Sequence, residues 1–339
     1  MKPIRIGLMG FGQVGRQIYR LALADERFEV VAISDIGKPE ILLNLLTKSR
    51  GRKTDATLSG NYLVAGGSRA RLMSANLPNE IPWDVFGVDV VVDATGIFRS
   101  RDDLAPHIGN GAHRVITSVL PIGELDRVVL YGVNNDQAVA SDRIVSAGSA
   151  STTASALLLR AFCERWPLEQ ASMTSVHAYT SDQSLQDYAG PDIRRSRSGA
   201  ENIIPNSTPA REWVERTLPE LGGRFSAYAL NVPVQVGSLL DITVVTRDSA
   251  PRVEEANVFF EQVAAEKARL LATTRDPIVS SDVRGTTQSL IVDLDATMRA
   301  GSKMLKLIAW HETLGHAQRI LDVAGLYALL DANRLAEAS

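Results

Sequence analysis

Gly10, Gly12 and Gly15 form a complete Gly-x-Gly-x-x-Gly at the end of an apolar run, Ile4 to Met9, and Asp35 follows twenty residues after Gly15. The first two glycines permit a tight turn and let backbone approach a pyrophosphate; the third lets the following helix pack closely on its strand. Amides at the start of that helix then face the anion. A carboxylate at the end of the next strand binds ribose hydroxyls and repels a 2′-phosphate, so this pattern favours NAD over NADP. Other reactive side chains are sparse. Cys163 is the only cysteine, which excludes an intramolecular disulfide and a thiolate zinc cluster. His311 and His316 are too isolated to suggest a metal site and read as surface or interface residues, so no metal is expected.

The glycine loop needs a strand before it and a helix after it, and the sequence supplies both. A helical pattern runs through Ile18, Leu21 and Ala22, and a second strand follows over Val30 to Asp35. That is a βαβ unit, whose parallel strands require the crossover helix. Val88 to Asp93, Arg114 to Ser118 and Arg127 to Gly132 read as further strands, predicting a doubly wound sheet over roughly the first 150 residues. Strand candidates in the second half span Ala171 to Tyr179, Ala227 to Val232, Leu239 to Val245, Gln288 to Asp293 and Met304 to Trp310. Helices fall between some of them, for example Pro251 to Glu266, which suits a mixed or antiparallel sheet covered by helices. A polar stretch from Thr180 to Ile203, with Arg194, Arg195 and Arg197, is long enough to predict a functional loop. A closing helix, about Ala317 to Leu330, presents Ile320, Val323, Ala324 and Tyr327 on one apolar face.

The chain has 339 residues, which makes two domains the natural expectation. Hydrophobic content of 45% and charged content of 22% describe an ordinary globular protein. A net charge of −3 argues against nonspecific nucleic-acid binding. No apolar run reaches transmembrane length and the N-terminus enters a strand, so no membrane partner is expected and the cytoplasm is the expected compartment.

Five segments carry a resemblance to a known family: Gly10-Phe11-Gly12-Gln13-Val14-Gly15-Arg16, Ser149-Ala150-Ser151-Thr152-Thr153-Ala154-Ser155, Val176-His177-Ala178-Tyr179-Thr180, Glu201-Asn202-Ile203-Ile204-Pro205 and Lys306-Leu307-Ile308-Ala309-Trp310. Collinear over nearly the whole chain, they resemble the phosphorylating glyceraldehyde-3-phosphate dehydrogenases. The resemblance implies an α/β protein: a Rossmann-type doubly wound NAD-binding domain over 1–150 and an α+β catalytic domain with a mixed or antiparallel sheet over 151–316. Helix 317–339 would pack back on the first domain. It also implies a homotetramer, in which the loop after Thr180 reaches a neighbouring subunit's cofactor site. Cofactor contacts would come from Gly10, Phe11, Gly12, Gln13, Val14, Asp35, Thr95, Gly96 and Ser118, with Thr313 where the family's nicotinamide-binding asparagine stands. Trp310 would lie near the nicotinamide.

The departures fall at the chemistry. Ser151 stands where the family has its nucleophilic cysteine, and Ala154 replaces the asparagine after it. A hydroxyl is far harder to ionise than a thiol, so it needs a base in the transition state. His177 matches the family's base. Thr180, Asp182 and Arg195 match residues around substrate anions, but Asn231 takes the place of an arginine, a fixed bidentate phosphate donor. Thr152 and Thr208 fit the inorganic-phosphate pocket, whereas Ala150 replaces its serine and Pro209, which has no N–H to donate, replaces a glycine. The expectation is an NAD-dependent oxidoreductase of a small aldehyde, oxo compound or alcohol, with phosphorylating activity weak or absent. The alternative is a catalytically silent NAD-binding paralogue, serving as a scaffold or regulatory subunit.

Overall fold

Short segments rich in Val, Ile and Leu, each of four to seven residues, make the central strands of the first group, Ile4–Met9, Phe28–Ser34, Val90–Asp93 and Arg114–Thr117. In the computed structural model, which describes residues 2–48, 53–180 and 183–337, the chain forms two compact units. One comprises Met1–Ser149 with Ala317–Ser339, the other Ala150–His316.

The first unit opens with β1 (Ile4–Met9), α1 (Gln13–Leu23), β2 (Phe28–Ser34) and α2 (Pro39–Lys48). A short antiparallel meander follows, β3 (Ala56–Ser59), β4 (Tyr62–Ala65) and β5 (Ser68–Met73), and then β6 (Val90–Asp93), α3 (Arg101–Gly109), β7 (Arg114–Thr117), β8 (Arg127–Val128) and β9 (Ile144–Ser146). The sheet order is β3-β4-β5-β2-β1-β6-β7-β9-β8, parallel from β5 onward. Ile6, Leu8, Ile33, Val91, Val92 and Ile116 are fully buried, as both-sided cover of a parallel sheet requires.

Two sequence expectations change here, and one element goes unseen in the sequence. The strand predicted over Arg127 to Gly132 stops at Val128. Asn134 takes over its hydrogen bonds, accepting from the Leu130 amide (2.8 Å) and donating to the Val128 carbonyl (2.9 Å). The meander carries too short and mixed a pattern to stand out in the sequence, and its strands are only partly buried. The last helix, α7 (Thr313–Glu337), is longer than the Ala317 to Leu330 stretch that its apolar face marks. It starts immediately after the preceding strand. Its C-terminal part is held by polar contacts: Arg114 pairs with Asp331 (2.6 Å), and the Tyr327 hydroxyl donates to Asp142 (2.8 Å).

The second unit contains α4 (Ala150–Arg165), β10 (Leu168–Ala178), β11 (Ile204–Asn206), α5 (Ala210–Thr217), β12 (Phe225–Val232), β13 (Ser238–Thr246), α6 (Val253–Glu266), β14 (Leu271–Thr274), β15 (Leu290–Ala300) and β16 (Met304–His311). Its sheet runs β11-β12-β10-β13-β16-β15-β14. The pairs β10–β12 and β14–β15 are parallel, the others antiparallel, so the sheet is mixed. One face carries the buried Met173, Leu240, Ile242, Leu307 and Ala309, and α4 packs against β10, β13 and β16. Because α4 leads almost directly into β10, it runs back along that strand.

Candidate functional site

In the first unit, Gly10 has φ +88°, a left-handed conformation that disfavours any side chain, and a Cβ at Gly15 would lie 2.1 Å from the Gly10 carbonyl oxygen. The turn and the helix contact both demand glycine. A Cβ at Gly12 would meet nothing within 4 Å, so backbone there stands open to an approaching group. Gly12 is the N-cap of α1, with no side chain capping its amides and no acidic residue in the first turn. Those free amides and the helix dipole fit a dinucleotide pyrophosphate.

Asp35 follows β2 directly. Its Oδ2 accepts from the Phe11 amide at 2.6 Å, and its Oδ1 accepts from Gly37 at 2.7 Å. The carboxylate thus pins the glycine loop to the end of β2. The Phe11 side chain points into the core, fully buried and edge-on to Tyr19, so only its backbone is available to a ligand. Gln13 is exposed and Val14 half-buried in the first turn of α1. Met9 is buried in the core beside Trp83 and Val91.

Sequence reasoning missed the support beneath Thr95 and Gly96. Asp93, fully buried at the end of β6, accepts from both the amide (3.0 Å) and the hydroxyl (2.6 Å) of Thr95. Its other oxygen lies 3.4 Å from His107 Nε2, and His107 Nδ1 accepts from the Trp83 indole at 3.0 Å. Ser118 is held alongside, its amide donating to the Asp93 carbonyl at 2.9 Å. The only signal in the sequence is an acidic residue closing an otherwise apolar strand. Asp93→Asn is expected to cost about 1–3 kcal/mol of stability, because a buried, charged acceptor is lost. Urea midpoints of the two proteins check it.

In the second unit, four neighbouring strands, β12, β10, β13 and β16, bring Asn231, His177, Ser238 and His311 into one row. Asn231 on β12 is in register with His177 on β10. Val176 pairs with Leu239 and Ser238 pairs with His311, so the next step from His177 crosses β13 at Ser238 and reaches His311 on β16. The His177 and His311 rings meet edge to face, with centroids 5.9 Å apart. Burial depresses both imidazoles, His177 to about 4 and His311 to about 3, so both are neutral at neutral pH. The expectation of surface or interface histidines is overturned: His311 is 3% and His316 6% exposed. The strand holding His311 lies between β13 and β15, and α7 begins two residues later with no surface loop.

His177 hydrogen-bonds Ser175 on its own strand, Nε2 to Oγ at 2.9 Å. Among the described residues no hydrogen bond joins it to Ser151, although Ser151 is buried in the first turn of α4 beside the fully buried Thr152. Asn231 accepts from Asn206 Nδ2 at 3.2 Å, an amide pair in place of a cation. Thr208 Oγ1 accepts from the Ala210 amide at 3.2 Å in the turn before α5, whose N-cap is Pro209. Thr180 is exposed, and its amide donates to Gln183 Oε1 at 3.2 Å. Asp182 lies outside the described residues. Arg195 sits in the following loop, its amide on Asp192, while Arg197 pairs with Asp187. Thr313 opens α7 half-buried, and the Trp310 indole donates to Asp293 at 3.1 Å. Burial pushes the Cys163 thiol up to about 12, which makes it inert. Among the described residues no His, Cys, Asp or Glu cluster could hold a metal.

The two depressed histidines predict an acid-labile fold. In the unfolded chain they titrate near 6.5, so between that pH and the folded values the unfolded state binds more protons. Their contribution is complete above about pH 6.5 and is lost as pH falls toward about 4 and 3. The slope is on the order of 1 kcal/mol per pH unit per histidine. Urea midpoints at pH 7 and 5 read it, and His311→Phe is expected to flatten the dependence.

Residues 4–101 match the family described as glyceraldehyde 3-phosphate dehydrogenase, NAD binding domain, and residues 149–313 match the corresponding C-terminal domain. The chain is 35% identical over 326 residues to glyceraldehyde-3-phosphate dehydrogenase 1 of Bacillus cereus, covering 94% of this chain and 97% of that protein. Against the glyceraldehyde-3-phosphate dehydrogenase of Geobacillus stearothermophilus it is 34% identical, over 96% of this chain and 98% of the other. The protein of that name from Haloarcula vallismortis is 36% identical, over 95% and 98%.

Proposed function

Because the chain belongs to the glyceraldehyde-3-phosphate dehydrogenase family, with NAD as its cofactor, we propose that it oxidises a small aldehyde or alcohol with little phosphorylating activity. The observation that supports this most is the chemistry of the β12–β10–β16 row. It offers amides, hydroxyls and neutral imidazoles at the positions where the family has a cation and, nearby on α4, a thiol.

Bound NAD supplies the hydride acceptor. The protein's part is to hold the substrate and take a proton. An aldehyde hydrate, R–CH(OH)₂, loses a hydroxyl proton to neutral His177 while the carbon-bound hydrogen leaves with its electron pair. The carbonyl of the carboxylic acid forms, and atoms and charge balance with no covalent enzyme intermediate. Ser151 serves as a hydrogen-bonding partner of the substrate oxygen. A base depressed to about 4 is a weak one, which makes slow turnover the expectation. On this reading Thr152, Thr180, Asp182, Arg195, Thr208 and Asn231 bound the substrate, while Gly10, Phe11, Gly12, Gln13, Val14, Asp35, Thr95, Gly96, Ser118 and Thr313 bind NAD. The same reading makes the protein a cytoplasmic homotetramer; among the described residues no helix is long and apolar enough to cross a membrane.

The test is NADH absorbance after mixing the protein with NAD⁺ and unphosphorylated glyceraldehyde, with and without inorganic phosphate. Slow formation that phosphate leaves unchanged supports the proposal. Turnover of glyceraldehyde 3-phosphate that requires phosphate and matches a cysteine enzyme refutes it. NAD⁺ binding with no turnover of any aldehyde or alcohol supports the silent paralogue.

A further inference from the structure

We propose that His311 is a specificity residue that hydrogen-bonds an uncharged hydroxyl group of the substrate, so that the site selects small unphosphorylated hydroxy-aldehydes. This deepens the reading of the β12–β10–β16 row as a reaction site and rests on it.

His311 is 3% exposed, and among the described residues neither ring nitrogen has a hydrogen-bond partner. A buried polar group left unpaired is costly, so such groups persist where something else completes them. The position is not an isolated defect of the core. The ring stands against His177 at 5.9 Å and 77°, in the row that also holds Asn231.

The kind of partner follows from the ring. A neutral imidazole offers one N–H and one bare nitrogen. A hydroxyl can accept from the first or donate to the second, whereas a phosphate or carboxylate only accepts. Burial keeps this ring neutral, its value lowered further by His177 and His316. No lysine or arginine stands among Asn231, His177, Ser238 and His311. Hydroxyl selection by a buried polar group discriminates strongly, because a ligand lacking the hydroxyl leaves that group unpaired.

The chain has five histidines, so ring-nitrogen spectra of protein labelled with ¹⁵N-histidine can resolve each. D-Glyceraldehyde is expected to shift the His311 nitrogens saturably; acetone, a carbonyl compound without hydroxyls, is expected to leave them in place. His311→Phe should weaken glyceraldehyde binding by about tenfold or more. His311→Asn, which keeps a donor and an acceptor, should recover part of that, with NAD⁺ affinity unchanged in both variants. The proposal is overturned by no shift with glyceraldehyde, by an equal shift with acetone, or by tighter binding of glyceraldehyde 3-phosphate. Unaltered glyceraldehyde affinity in both variants also overturns it and leaves only water at the ring. Glyceraldehyde bound at His311 without NADH formation defeats the redox reading and keeps this one. NADH formation with binding indifferent to both variants does the reverse.

Discussion

Asp35→Ala is expected to weaken NAD⁺ binding by roughly 10- to 100-fold, the loss of one or two charge-assisted hydrogen bonds. The carboxylate has two duties. It holds the Phe11 and Gly37 amides at 2.6 and 2.7 Å, which fixes the glycine loop against the end of β2. It also presents negative charge where a ribose 2′-hydroxyl would be bound and a 2′-phosphate repelled. Asp35→Asn keeps the size but has one acceptor oxygen for two loop amides, so it should lose one loop bond as well as discrimination between NAD⁺ and NADP⁺. Calorimetric titration of each variant with both dinucleotides reads this. Equal NAD⁺ affinity in wild type and Asp35→Ala would remove the carboxylate from the cofactor site.

The second large effect is a gain. Ser151→Cys is expected to create one alkylatable thiol per chain, where the wild type has none, and to raise NADH formation from glyceraldehyde by ~10-fold or more. The new thiol would sit in the first turn of a sixteen-residue helix whose first turn has no acidic residue, a setting that favours the thiolate. The native Cys163 does not confuse the readout, because burial and the neighbouring Glu220 and Glu164 push it up to about 12. Phosphate should still stimulate little. Pro209 has no amide to donate, and Asn231 is an amide paired with Asn206. Adding Asn231→Arg to Ser151→Cys should improve use of glyceraldehyde 3-phosphate. Failure of the cysteine variant to react with iodoacetamide would show that the start of α4 does not support nucleophilic chemistry.

What the sequence disclosed follows a physical line. β1, α1 and Asp35 were legible because backbone constraint leaves a local record: three glycines at fixed spacing, then a carboxylate one strand later. The long strands β10, β13 and β16 were legible within a few residues because alternate positions are buried. The row joining Asn231, His177 and His311 was not legible, because register between distant strands leaves no mark within any one of them. His311 therefore read as an isolated histidine, although the fold sets it against another. Asp93 was hidden for a related reason. It bonds Thr95 and lies beside His107, which in turn accepts from Trp83, and the burial of His107 and Trp83 shows only in the packed unit. The end of β8 shows the opposite failure, an apolar run that reads as strand until the Asn134 side chain takes its backbone bonds.

The most direct test of the central claim is isotope transfer. Glyceraldehyde carrying deuterium on its aldehyde carbon is incubated with the protein and NAD⁺, without phosphate, and the dinucleotide is weighed by mass spectrometry. The account predicts NADH heavier by one deuterium, formed slowly and lost in His177→Ala. Bound NAD⁺ that gains no deuterium from this or any other small aldehyde or alcohol would contradict it.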